Sequence, residues 1–185
     1  MLGLAALRLV VGGFFMGHGL QKLAGWLEGH GLRATGESFE AMGLRPGRAH
    51  ATAAGLSETA GGALVAGGLL TPVGASMLSG TMITAIRKVH AANGPWVSKG
   101  GYEYNLVLLA VVFAITDLGP GRLSLDEALG TRRAGLRWAV AQLLAGALGS
   151  AAAVAIGERQ TDPSAADVST QNGGAPAPQP QASAA

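Results

Sequence analysis

The chain contains no cysteine, which excludes disulfides, thiolate-ligated zinc, iron–sulfur clusters and thiol catalysis by this polypeptide. Charge is scarce as well. Asp, Glu, Lys and Arg make up 13% of the 185 residues, about half the ~25% of an ordinary soluble domain, and too little to clothe a water-facing surface. Aromatic residues stand at 5%, and 13 basic against 11 acidic side chains leave a net charge of +2. The basic footprint of a nucleic-acid-binding protein is therefore missing, and no nucleic-acid partner is expected. What the chain has in quantity is apolar or small: 49% hydrophobic residues and 30 glycines.

These residues fall into long runs, and a bilayer core of ~30 Å needs about 20 helical residues. Leu2–Lys22 is interrupted only by Arg8, His18 and Gln21, and Ala51–Leu70 has Glu58 as its one ionisable group. Thr71-Pro72 marks a break, because proline ends one helix and can begin the next. Val73–Ile86 continues through Arg87, Lys88, Val89 and His90, and Tyr104–Leu118 stops at Gly119-Pro120-Gly121. Ala139–Ile156 carries no charge. Arg8 lies inside the first run rather than before it, so that run reads as a mature helix and not as a cleaved signal. The expected fold is all-α: an integral membrane, antiparallel four-helix bundle, a fifth transmembrane helix, and an Ala/Pro/Gln-rich disordered tail. The expected parts are 1–129, 130–157 and 158–185, multi-pass in the cell (plasma) membrane with the lipid bilayer as partner.

Smaller signals accompany the runs. Gly36–Leu44, inside the long connection from Ala24 to His50, is a brief amphipathic stretch suited to the headgroup level. Ser124 and Glu127 have capping-box spacing. Gly13-x-x-x-Gly17, Ala63-x-x-x-Gly67 and Gly146-x-x-x-Ser150 are small-xxx-small pairs that let helices approach. Basic residues divide evenly between the two ends, Arg33, Arg45, Arg48 and Lys99 against Arg122, Arg132, Arg133 and Arg137, so loop charge sets no orientation.

Ionisable groups within a spanning helix cost roughly 2.5–3.5 kcal/mol each on the lenient scale, so each needs a partner or a task. Connectivity brings His18 and Lys22, then Glu58, then Arg87 and His90, and finally Glu103 to the same end of the bundle. Lys22 and His18 are an i,i+4 pair, and Arg8 shares their stripe two to three turns away. Glu58 is the natural counter-charge for Lys22 or Arg8, and Glu103 the one for Arg87 or Lys88. One account makes these structural ion pairs in the manner of intramembrane packing glue. A second makes them a small-molecule site, such as a quinone site, in which His18, Lys22, Arg87 and His90 donate and Glu58 relays protons. A third makes His18 and His90 axial haem ligands. His30 and His50, at the loop, read as solvated. No metal site and no motif-bound cofactor is expected, and no catalytic residue can be assigned.

The order of short elements is informative. Arg8-Leu9-Val10 followed by Gly17-His18-Gly19-Leu20-Gln21-Lys22-Leu23 resembles the opening of the DoxX family of small four-helix membrane proteins. Glu58-Thr59-Ala60-Gly61-Gly62, Gly68-Leu69-Leu70-Thr71-Pro72, Gly101-Tyr102-Glu103-Tyr104-Asn105 and Gly119-Pro120-Gly121-Arg122-Leu123-Ser124-Leu125-Asp126 resemble its later elements, in order over residues 3–129. The resemblance implies an integral membrane protein whose family name belongs to a subunit of thiosulfate:quinone oxidoreductase. It places Arg8, His18, Lys22, Glu58 and Glu103 at the family's marked positions. Residues 130–185 have no counterpart in the minimal four-helix pattern. The expected function is a subunit, not self-sufficient, of a quinone-linked membrane redox complex that depends on other subunits for electrons, since the chain shows no dinucleotide fingerprint. The alternative is a non-enzymatic scaffold or small-solute binder.

Overall fold

The computed structural model describes residues 2–160, so all but the first residues of the expected tail lie outside the described part. Within it every regular element is helical. Helix α1 spans Leu2–Ala24, α2 Gly31–Ala41 and α3 Gly47–Gly67. Helix α4, Thr71–Ala85, continues through a π-helical turn at Ile86–His90 and a tight turn at Ala91–Asn93. Helix α5 covers Glu103–Leu118, the short α6 Leu125–Ala128, and α7 Leu136–Arg159.

The long connection after α1 is largely helical, because α2 forms inside it and α3 begins four residues ahead of Ala51. The break at Thr71-Pro72 is a three-residue turn. Gly68 closes α3 in the left-handed conformation, Leu70 follows at φ 45°, and Pro72 sits in the first turn of α4. Ser124 caps α6, its Oγ accepting from the Glu127 N–H at 3.2 Å. Helix α7 extends the uncharged run by three residues at each end.

Helices α1 and α3 form the most extensive contact, followed by α4 with α7 and α3 with α4. Val11, Phe15, Val65, Ala75, Leu78, Val112 and Ile115, from α1, α3, α4 and α5, make the apolar core. The α1–α3 seam is made of backbone. A Cβ on Gly12 would strike the Gly62 carbonyl oxygen and Ala66, and one on Gly19 would lie 2.6 Å from the Gly55 carbonyl oxygen. Gly12 and Gly19 thus face Gly62 and Gly55 in antiparallel order, with the seven-residue spacing of a left-handed seam. The four-residue pair Gly13 and Gly17 is not part of it. A Cβ at Gly13 meets nothing within 4 Å, and one at Gly17 meets only the Leu27 side chain. At 100° per residue, a one-residue offset turns those positions away from α3. Gly146 and Ser150 do sit in a helix contact, that of α4 with α7.

That second contact carries a polar ladder. Ser79 Oγ donates to Gln142 Oε1 at 2.9 Å, Thr84 Oγ1 lies 2.9 Å from Ser150 Oγ, and Lys88 Nζ reaches Glu158 Oε1 at 3.2 Å. Residue numbers rise together on both helices, so α7 runs parallel to α4. Helices α1 and α7 are the two among the described residues that are both long and apolar enough to cross a membrane.

Candidate functional site

Polar groups gather in two places. At the end where α1 finishes, Lys22 Nζ lies 2.5 Å from Glu58 Oε2 and also donates to the His18 carbonyl oxygen at 3.4 Å. Glu58 is buried, while a quarter of the Lys22 side chain stays accessible. His18 Nδ1 lies 3.0 Å from Gln21 Oε1. Gln21 commits its amide N–H to the Leu27 carbonyl oxygen at 3.1 Å, so its oxygen must accept and His18 Nδ1 must carry the proton. His90 Nδ1 donates to the Gly100 carbonyl oxygen at 2.7 Å. In both imidazoles, therefore, Nδ1 is engaged and Nε2 is left over. The π-helical turn that carries Lys88 and His90 is a local departure of the kind that collects at functional sites.

These groups line one cavity of about 790 Å³, within the roughly 300–1,000 Å³ of small-molecule sites. Its walls come from two gaps where helices barely touch, α1 against α5 and α3 against α7. The first gap presents Phe14, Tyr104, Asn105 and Leu108, and the second Ala53, Gly80, Thr81, Ala145 and Gly149. His18, Lys22, Glu58, Lys88 and His90 line the same cavity. His50 does too. It is half-buried on α3 rather than solvated, because that helix starts earlier than its first apolar residues indicate. His30 is exposed.

Three residues chosen from sequence are not in this group. Arg87 is exposed and Glu103 half-buried, neither forms an ion pair among the described residues, and neither lines the cavity. Lys88 pairs with Glu158 of α7 instead of with Glu103, because α7, and not α5, presents its carboxylate to that turn. Arg8 sits in the second polar place, at the other end of α1. It is 2% exposed and donates from Nη2 to the Leu123 carbonyl oxygen at 2.5 Å and from Nη1 to that of Pro120. Its Nε is buried and has no partner among the described residues.

Asp126, which sequence reasoning passed over as a site residue, anchors that end and is fully buried. It accepts from the Leu70 N–H at 3.0 Å, from the Thr71 N–H and Oγ1 at 3.1 Å each, and from Thr131 Oγ1 at 2.9 Å. Burial pushes the Asp126 carboxyl up, but the hydrogen bonds from Thr71, Leu70 and Thr131 outweigh burial and hold it below its ordinary value. These bonds also pin the left-handed Leu70, a conformation that costs a β-carbon residue about 1–2 kcal/mol. A Cβ at Gly68 would press on Arg8 and Ser124. The segments 68–72 and 119–126 therefore meet each other and Arg8, and the segments 17–23 and 58–62 meet at the opposite end.

Among the described residues, no group of three or more His, Cys, Asp or Glu could hold a metal ion. No curated protein and no solved structure matches the chain. Residues 3–91 match the family model DoxX, which covers α1 to α4 and stops short of the segments at 101–105 and 119–126, and this match supports the assignment of the chain to the membrane-associated DoxX family.

Proposed function

We propose that the chain is a multi-pass protein of the cell membrane that binds a lipid-soluble quinone as one subunit of a redox complex. In this reading α1, α3, α4 and α5 form an antiparallel four-helix bundle and α7 is a fifth span. Helices α1 and α7 have mean hydropathies of 1.4 and 1.9, yet only 28% of each apolar window is buried. The core helix of a water-soluble domain would be mostly covered. Phe14, Leu118, Leu144 and Leu148 all stand well exposed, and hydrocarbon is the solvent in which such a surface costs nothing. Cysteines introduced at Thr131 and Gln160, against a background free of native thiols, should be labelled from opposite sides of the membrane. Labelling of both from one side would remove α7 as a span.

The observation that carries the binding reading is a cavity with polar atoms to spare. Glu58 uses one carboxylate oxygen, and among the described residues the His18 and His90 imidazoles keep Nε2 and the Tyr104 hydroxyl makes no hydrogen bond. Lys22 and Tyr104 can donate to the carbonyls of a quinone head. His18 and His90, as Nδ1–H tautomers, can accept from the hydroxyls of its reduced form. A bound quinone would supply two-electron, two-proton chemistry. The chain's own residues orient the head, accept or return its protons, and leave electron delivery to partner subunits. Purification with native lipid retained, followed by mass spectrometry of co-isolated quinones and proteins, tests this directly. Recovery of neither, together with normal quinone-linked respiration in a deletion strain, would leave a non-enzymatic scaffold whose polar cluster is structural.

A further inference from the structure

The α3–α7 gap differs from the rest of the cavity in one respect. Its polar atoms are almost all engaged. Ser76 Oγ donates to the Val73 carbonyl oxygen at 2.8 Å, and Thr81 Oγ1 to that of Leu78 at 2.9 Å. Thr84 Oγ1 donates to the Gly80 carbonyl oxygen at 2.9 Å and also meets Ser150 Oγ. Apart from the Ser57 hydroxyl on α3, the hydroxyls are turned to the protein, and the surface left for a ligand is methyl and methylene: Ala53 on one side, and Ala145, Gly149 and Ala153 on the other. The last three recur every four residues, which puts them on one face of α7. The gap is continuous with the end that holds Lys22 and the buried, half-engaged Glu58 carboxylate. The α1–α5 gap, by contrast, presents the rings of Phe14 and Tyr104 and the Asn105 amide.

We infer that the α3–α7 gap holds the hydrophobic side chain of the quinone while its ring lies toward α1 and α5, so that α7, outside the family-matched segment, sets the length of chain accepted. The inference rests on the quinone reading and adds a specificity determinant to it. Gly149 is where it can be tested. A Cβ there meets nothing within 4 Å, whereas one at Gly146 on the neighbouring face would lie 2.7 Å from the Ser79 Cβ. A side chain at Gly149 can therefore fill the gap without pushing the helices apart.

The experiment uses the full-length protein in detergent or nanodiscs and two probes, a benzoquinone carrying a decyl chain and its tail-less parent. Binding is followed by quenching of tryptophan fluorescence or by calorimetry. The wild-type protein should bind the decyl compound the more tightly. Gly149→Leu should weaken decyl-quinone binding about ten-fold or more, the scale on which an apolar pocket discriminates by size, and leave the tail-less compound within about two-fold. Ala153→Leu should act in the same sense. Equal weakening of both probes, or of neither, would overturn the placement of the chain while leaving the quinone reading in force. Failure of the wild-type protein to bind either probe would overturn that reading and the inference with it. If both variants fail to fold, the gap is not open space, and the inference falls on that ground.

Discussion

Arg8 and Asp126 at one end of the molecule, and Lys22 and Glu58 at the other, are both cases of charge held among apolar helices, but they are held differently. Asp126 accepts four hydrogen bonds, three of them from the α3–α4 turn, and Arg8 closes onto two carbonyl oxygens of the 120–123 segment. Lys22 and Glu58 hold one another through a single carboxylate oxygen beside a cavity. A charge knitted into backbone groups fixes a chain reversal and opens onto no cavity, even though the buried Arg8 Nε stays unpaired among the described residues. A charge with one partner and an open side keeps capacity for a ligand. On the proposed reading one end serves architecture and the other binding.

The largest effect should come from breaking the knitted end. Asp126→Ala strands the Leu70 and Thr71 N–H groups and the Thr71 hydroxyl, at about 1–3 kcal/mol for each buried group left unsatisfied, while the exposed Thr131 can turn to water. We expect a loss of several kcal/mol, read as poor expression or a melting temperature lowered by ten degrees or more. Glu58→Gln should cost less, about 1–3 kcal/mol, because Lys22 retains access to solvent and can rehydrate. The same variant should lose quinone binding in whatever fraction stays folded. If Glu58→Gln proves the more destabilising of the two, the division between the ends is wrong.

Acid provides a finer cut. The Asp126 carboxyl is held below its ordinary value of 3.8. Its stabilising contribution is thus fully present above that value and is lost as pH falls through the lower folded value. Thermal melts between pH 6 and pH 3 should show wild-type stability falling in acid, with the part due to Asp126 absent from Asp126→Asn. Parallel profiles for the two proteins would mean that the hydrogen bonds do not favour the charged form. The smallest effect is expected at the Lys88–Glu158 pair, where Glu158 is 60% exposed. Glu158→Gln should change stability by no more than about 0.5 kcal/mol. A larger drop would make that pair a third structural tie.

Apolar run length made the helical character and the main segment boundaries legible, since α1, α3, α4, α5 and α7 each overlie one of the five runs. The Lys22–Glu58 pair was legible as well, because connectivity and the cost of an unpaired charge leave few partners. Asp126 was hidden by its setting. A carboxylate in the first turn of a short capped helix reads as a solvated, dipole-facing group, and only the return of that helix onto the α3–α4 turn buries it. His50 was hidden because α3 begins with Gly47, Arg48 and Ala49, residues that carry no apolar signal. The glycine seam was missed by register. In a chain with 30 glycines four-residue pairs are common, and only the packing distinguishes Gly12 and Gly19 from Gly13 and Gly17.

That seam also determines how stiffness is distributed. Where two helices meet through carbonyl oxygens and bare Cα atoms, any slide or roll of one against the other drives a Cβ into a peptide group, so α1 and α3 must move as one plank. Helices α5 and α7 touch that plank only sparingly and are held to it through α4, so they swing outward only about their contacts with that helix. The breathing of the molecule should therefore be one-sided. Amide exchange would be slowest along residues 11–19 and 55–62, and the two lateral openings would widen only by tilting of the helices that face the plank.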